Sequence, residues 1–460
     1  MGQPPVYYYL SGVNSGGVTS SYQDYIFSPY DVPPLLSGTY YIAAFLLHGD
    51  LKAKDYIDYT TVSGDNVGQY SDGKLPIALG GNTPAQSVNY SGQGGVANVD
   101  FSLNGNITGT TIVLLTTTTV TSTTLPPSGF YGATIEASVD VGAASLAVDS
   151  GQKAHISYYD ATNKILKYIT NVSGSWVAAT IDNTGDVGSS NSIVVAPNNT
   201  VYISYCDSTN GRLKLASKPS GGSWSTSTID DTGTGNGIGA NSIAVDSSGN
   251  VYIGYHYKKD SKNAMLKYAN NLSGWSIATV EANGDCGDNN AIAIDRSTAG
   301  KIHIAYWDNH NNKVRYANGS AGGGWSYYSI TEAGAFLEGS NSLAIDSLNH
   351  AYIAFFNGSS YSDRLASNAS GSWTISSIGG SKGDQPNIAI DSVNSLHISY
   401  NNFSDNLIYT TNKGGGWNTY IIDAGHSADI AIDNNDKVHV IYGVYDSASG
   451  RSALRYATNK

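Results

Sequence analysis

Down most of this chain, apolar and polar positions alternate in short strings, and the strings recur in a fixed order. The first is an apolar run that usually ends in Asp: SLAVDS at 145, SIVVAP at 192, SIAVDS at 242, AIAIDR at 291, SLAIDS at 342, NIAIDS at 387 and DIAIDN at 429. After a short turn comes a second string, in turn AHISYYD, VYISYCD, VYIGYHY, IHIAYWD, AYIAFFN, LHISYNN and VHVIYGV. A third follows as ILKYITN, RLKLASK, MLKYANN, KVRYANG, DRLASNA, NLIYTTN and ALRYATN. A fourth opens after glycine at Trp176, Trp224, Trp275, Trp325, Trp373 and Trp417. Alternation of period two, rich in β-branched and aromatic residues, predicts strands, and no helical period fits. Each repeat is four strands, A to D, in roughly 42 to 51 residues, the size of a propeller blade.

There are seven A, B and C strings but six Trp-led D strings after them, and the chain ends at ALRYATNK, where a seventh D strand is due. The missing string stands at the other end. SGFYGATIEA (128–137) matches SGSWVAATID (174–183), with Phe130 near the Trp position. The fold class expected is all-β: a seven-bladed propeller closed by its N-terminal strand, which removes a free sheet edge. Upstream, TTTTVTSTTLPPS lacks any core-forming pattern and reads as an extended linker. Strand-like strings before it, VYYYLSG, GTYYIAAFLLHGD, KLPIAL and ANVDFSLNG, predict a small β-sandwich. The expected division is 1–115 sandwich, 116–128 linker and 129–460 propeller.

Composition adds to this picture. Charged residues are 13% of the 460, about half the usual share. Gly (53) and Tyr (34) are abundant, as turns and strands demand. A net charge of −12 repels a phosphate backbone, which argues against nucleic acid as a partner. No run of 18 apolar residues is present, so no membrane span is expected. The opening MGQPPVYYYLSG has neither the basic nor the apolar region of a signal peptide. Cys206 and Cys286 form no metal or haem motif and read as two free thiols, or as a single bridge.

Candidate chemistry concentrates on the face shared by the B–C turns and D–A crossovers. The turns YYDATNK, CDSTNGR, YHYKKDSKN, YWDNHNNK and VYDSASGR are polar and aromatic, which suits shallow sugar pockets. Trp307 with Asp308 and His310 leads the candidates, because Trp307 is the one Trp outside the repeat position. Tyr257, His256, Asp160 and Asp207 complete the ligand-binding set, with turn capping as the structural alternative for the Asp residues. Asn191, Asn241, Asn290 and Asn341 begin strand A and would ring the central channel, where amide oxygens suit ordered water or a hard cation. No other cofactor is implied. The Asp that ends strand A in six repeats (Asp149, Asp246, Asp295, Asp346, Asp391, Asp433) reads as a turn cap. His155, His303, His397 and His439 share one repeat position with Tyr202, Tyr252 and Tyr352, which suits a packed, hydrogen-bonded ring between blades rather than metal ligation.

Two resemblances follow from these strings. SGTYYIAAFL (37–46) and VDFSLNG (99–105) resemble the prealbumin-like, carboxypeptidase-regulatory-like sandwiches of secreted bacterial proteins, which implies a spacer or adhesive module. Related loops can hold calcium, but here Asp50, Asp55 and Asp58 are interrupted by two lysines. The repeats resemble the BNR or sialidase-like class, whose Asp-box is S-x-D-x-G-x-T-W. TNVSGSW (170–176) and TNKGGGW (411–417) keep the Gly and Trp, and the Asp is missing in every repeat. The Gly-Gly-Trp grammar is also similar to the six-bladed fungal fucose-binding lectins.

Catalysis needs convergent groups. The propeller's arginines (Arg212, Arg296, Arg315, Arg364, Arg451, Arg455) fall at different repeat positions and form no sialidase triad. Glu136, Glu281, Glu332 and Glu338 show no paired-carboxylate motif. The expected function is therefore a non-catalytic extracellular binding or adhesion protein, secreted or at the cell surface, with carbohydrate or a cell-surface protein as partner. A polysaccharide lyase or hydrolase, and a cell-surface or filament-associated structural protein, are the alternatives.

Overall fold

The computed structural model describes residues 129–459, apart from 234–236, 261–262, 296–299, 331–340, 379–382 and 447–449. Before residue 129 it describes six short strands, among them Ser87–Ser91 paired with Asn98–Ser102. The expected sandwich and linker otherwise lie outside the described residues. Contacts divide the chain into Met1–Ser122 and Thr123–Lys460, and each unit is described by itself.

The larger unit is a seven-bladed, all-β propeller. Every blade is a four-stranded antiparallel sheet in the order A-B-C-D. Blade 1 runs Val141–Val148, Ala154–Asp160, Ile165–Thr170 and Val177–Asp182, and blade 2 runs Val187–Val195, Val201–Asp207, Arg212–Lys218 and Ser225–Asp231. Blade 3 is Gly237–Val245, Val251–Lys258, Ala264–Asn270 and Ser276–Glu281, and blade 4 is Cys286–Ile294, Ile302–Asp308, Lys313–Ser320 and Gly323–Ile330. Blade 5 is Asn341–Ile345, Ala351–Asn357, Ser362–Ser367 and Thr374–Ser377, and blade 6 is Gly383–Ile390, Leu396–Asn402, Asn406–Thr411 and Asn418–Ala424. Blade 7 takes His426–Ile432, Val438–Asp446 and Arg451–Thr458 from the C-terminal end and Tyr131–Glu136 from the start of the propeller. The closing register runs from Tyr131 opposite Thr458 to Glu136 opposite Leu454, as the repeat count required.

The core lies between blades, because strand B is buried on both faces. That double burial explains why the B strings read as near-continuous apolar runs. One aromatic pair repeats around the ring: the Trp of one blade stands edge-on to the strand C Tyr of the blade before. Trp176 meets Tyr456 at 4.9 Å, Trp224 meets Tyr168 at 5.0 Å and Trp373 meets Tyr316 at 4.9 Å between ring centres. Phe130 takes this place in the closing strand, 5.1 Å from Tyr409. Each such pair adds about 1 kcal/mol beyond its buried area. Where strand C of blade 2 carries Leu215 instead of Tyr, Trp275 of blade 3 is left 39% exposed.

At the A–B end the repeated Asp caps the turn, as expected. Oδ1 of Asp149 accepts the amides of Gly151 and Lys153, and Oδ1 of Asp433 those of Asn435 and Lys437. The second oxygen of Asp149 faces His155 Nε2 at 3.1 Å, and His155 Nδ1 lies 2.6 Å from the Tyr168 hydroxyl. A carboxylate can only accept, so Nε2 donates to it and Nδ1 accepts from the phenol. His439 repeats this between Asp433 and Tyr456, and His303 and His397 bond Tyr316 and Tyr409 in the same way. These bonds run within a blade, from strand B to C, and not between blades as expected. His155 and Tyr168 are diagonal neighbours on one sheet face, since His155 pairs with Thr170 and Ser157 with Tyr168.

Candidate functional site

The opposite face carries the B–C turns and D–A crossovers, and its footing is a second repeated device. The acid that ends strand D of one blade accepts the hydroxyl of a buried strand B tyrosine in the next, and pairs with a Lys or Arg of that blade's strand C. Glu136 accepts from Tyr158 at 2.9 Å and lies 3.6 Å from Lys167 Nζ. Asp182 joins Tyr205 at 2.7 Å and Lys214, and Asp230 joins Tyr255 at 2.7 Å and Lys267 at 3.1 Å. Glu281 joins Tyr306 and Arg315, and Asp423 joins Tyr442 at 2.7 Å and Arg455 at 3.3 Å. Burial raises Asp182, but hydrogen bonds from Lys214, Thr184 and Tyr205 outweigh it and hold the carboxyl at about 2. Burial and the neighbouring acids push all five tyrosines well above their ordinary value.

The latch is absent where blade 4 meets blade 5, because Phe355 stands in place of the tyrosine. Trp307 fills that interface instead. It is 6% exposed and packs with Ile330, Leu343 and Phe355. Buried there, Trp307 leaves no indole face for a sugar. Asp160, Asp207 and Asp308 are also buried, as turn caps: their Oδ1 atoms accept the amides of Asn163, Asn210 and Asn311 at 2.9–3.0 Å. Tyr257 is half-buried beneath Lys267 Nζ, 4.1 Å from the ring centre.

His256 and His310 flank the crossover from blade 3 to blade 4. His256 is fully buried, with Nε2 3.3 Å from Asp285 Oδ1 and Nδ1 3.5 Å from Asp288 Oδ1. The exposed His310 donates its amide to Asp285 O at 3.1 Å, and its ring covers Gly284, where a Cβ would lie 2.7 Å away. The turns of blades 1 and 2 make the same clasp, from Ala161 N to Asp140 O and from Ser208 N to Asp186 O. The structure thus groups His256 and His310 around one crossover, adds Asp285 and Asp288 to them, places Trp307 in the interface between blades 4 and 5, and leaves Asp160 and Asp207 on other blades. Cys206 and Cys286 are buried free thiols, and burial pushes Cys286 up to about 11.

The channel asparagines join blades. Asn191 Oδ1 accepts from Ser157 Oγ of blade 1 at 2.5 Å, and its amide nitrogen donates to Ala143 O and Gly188 O. Asn241 Oδ1 accepts from Ser204 Oγ at 2.6 Å, and its nitrogen donates to Ser190. Each of these oxygens accepts one hydroxyl from the preceding blade and so ties neighbouring blades together. Asn290 has the same donor contacts, to Ala240 O and Gly287 O, but meets Gly254 in place of the serine. Its Oδ1 has no hydrogen-bond partner among the described residues. The side chain of Asn341 lies outside them. No cluster of three or more His, Cys, Asp or Glu suited to a metal occurs among the described residues.

What sequence reasoning missed sits on the turns of blades 5 and 6. Tyr361 and Phe403 are 59% and 54% exposed, and both stand beside Phe356, which is buried at the position Trp307 holds in blade 4. Tyr361 has a φ of +49°, in the left-handed region, where the equivalent turns carry Lys164, Gly211, Asn312, Asp405 and Gly450. A bulky aromatic there is an outlier that costs roughly 1–3 kcal/mol. Side chains fix both turns: Asn357 Oδ1 accepts the amides of Ser359 and Ser360, and Asn402 Oδ1 those of Ser404 and Asn406. The available signal was an aromatic residue in the polar turn strings NGSSYSD (357–363) and NFSDN (402–406). On blade 7, Tyr445 is 59% exposed at the end of strand B.

No protein-family model matches the chain, and no curated protein matches it. Solved structures similar to it include the six-bladed Aleuria aurantia lectin, described with a fucose recognition mode, at 13% identity and TM-score 0.44 over 64% of this chain and 99% of that one. NanB sialidase from Streptococcus pneumoniae is 10% identical at TM-score 0.43, over 72% and 70% of the two chains. The polysaccharide lyase Uly1 is 8% identical at TM-score 0.46, over 67% and 88%. At TM-scores below 0.5 these likenesses decide neither ligand nor activity, which have to be read from this chain's own residues.

Proposed function

We propose that this protein is an extracellular, non-catalytic binding protein that recognises carbohydrate on the B–C face of its propeller. The observation that carries the reading is the exposure of Tyr361, Phe403 and Tyr445 on that face. Most other aromatic rings on the propeller are more deeply packed, with Trp275, Tyr327 and Tyr328 39–43% exposed on or beside strand D. These three stand out in solvent on short, hydrogen-bonded turns and strand ends. Aromatic faces stack on the C–H-rich faces of sugar rings, and nearby turn amides and hydroxyls serve the hydroxyl groups. The acids beneath the face are engaged in interblade latches, which supports binding over catalysis. The test is a broad glycan array with the full chain, repeated with Tyr361→Ala, Phe403→Ala and Tyr445→Ala. Binding that weakens in these variants, at unchanged circular dichroism, is the expected result. Silence across the array, or binding indifferent to all three, would overturn the reading.

A further inference from the structure

The three rings at the blade 5–6 edge meet one another edge-on at the loose end of the usual aromatic spacing. Phe356 and Tyr361 are 6.5 Å apart at 65°, Phe356 and Phe403 6.3 Å at 67°, and Tyr361 and Phe403 6.1 Å at 71°. Each ring is thus steeply inclined to the other two. The edge-on pairs between blades lie closer, from 4.9 Å for Trp176–Tyr456 and Trp373–Tyr316 to 5.8 Å for Tyr268–Trp325. Centres this far apart leave room for a point about 4.5 Å from all three, within the ~6 Å reach of a cation–π contact.

We propose that Phe356, Tyr361 and Phe403 are the walls of a cage for an organic quaternary ammonium group. The inference rests on the reading of the B–C face as a binding face, and names the chemistry at one corner of it: a trimethylammonium substituent carried by the ligand. Charge favours a cation there. Asp405 shares the turn with Phe403, and the whole chain carries −12. Arg364, on the strand that leaves Tyr361, donates to Ser377 Oγ on the neighbouring strand. The cage is also built before any ligand arrives. Phe356 is 9% exposed and anchored, the capped turns hold the other two walls, and Tyr361 keeps a left-handed backbone to stand where it does. Stability alone would place Asn or Gly at that position.

The test is titration of the full chain with choline chloride, tetramethylammonium chloride and 3,3-dimethylbutan-1-ol, the uncharged isostere of choline, followed by calorimetry or ligand-observed NMR. Both cations should bind, and the alcohol about tenfold more weakly or not at all, because ring quadrupoles attract the charge and not the methyl groups. Tyr361→Ala and Phe403→Ala should each weaken choline binding about tenfold. Tyr361→Asn keeps the left-handed turn, relieves its strain and removes the wall, so loss of binding at an unchanged or raised urea midpoint separates the wall from the fold. No cation binding, or equal binding of alcohol and choline, overturns the cage. Glycan binding without choline binding overturns the cage alone. Choline binding without any glycan binding overturns the carbohydrate reading and leaves the cage standing.

Discussion

At the scale of single residues, departures from the repeat show what each position does. Ser204 gives its hydroxyl to Asn241, whereas Ser399, at the same position in blade 6, has no hydrogen-bond partner among the described residues and precedes a blade with Ala428 where Asn is usual. Ser204→Ala strands a buried amide oxygen and should cost about 1–3 kcal/mol, while Ser399→Ala should be neutral or stabilising. Urea midpoints for the two variants check this, and equal losses would remove the interblade bond as an explanation. Trp307 gives a second contrast. As a buried interface filler, Trp307→Ala should cost about 3–5 kcal/mol, and the conservative Trp307→Phe should leave glycan binding intact in the folded protein. A selective loss of binding in Trp307→Phe, with stability unchanged, would return Trp307 to the site.

At the scale of elements, the strand that closes the ring is the telling one. Tyr131–Glu136 is held to blade 7 by its ladder, to blade 6 by Phe130 against Tyr409, and to blade 1 by Glu136 against Tyr158 and Lys167. Phe130→Ala should cost about 3–5 kcal/mol. Hydrogen exchange should rise first in 131–136 and 451–458, because those amides share one ladder. Trp275→Ala, at the corresponding place in blade 3 but partly exposed and without a tyrosine partner, should cost much less. Similar losses for both would show that the closing strand is no more critical than any other outer strand.

At the scale of the whole molecule, the repeats sum into a pH response. Burial lowers His155, His303, His397 and His439 below the ordinary value of 6.5, although their Asp partners act the other way. The unfolded chain therefore takes up protons near pH 6.5 that the folded chain refuses, so stability is complete above that pH and falls as pH drops. Asp149, Asp346 and Asp391 are raised by burial but held below 3.8 on balance by backbone and side-chain hydrogen bonds, so a further loss follows as pH falls below 3.8. Urea midpoints measured between about pH 8 and pH 5 should decline on the acid side, and a flat profile would remove the histidines as the cause.

The fold was legible in the sequence because a blade cannot bury its faces alone. Each repeat must restate the same apolar grammar, and one missing D string was enough to predict the closing strand at Phe130. Turn caps such as Asp149 were legible for the same reason. The site was not. Trp307 stands out in the sequence, yet it is buried against Phe355, which lies 48 residues away. Phe356, Tyr361 and Phe403 come from two repeats, and only the curvature of the ring brings them within 6.5 Å. Repetition along the chain determined the scaffold, and packing between blades decided which of its residues meet solvent together.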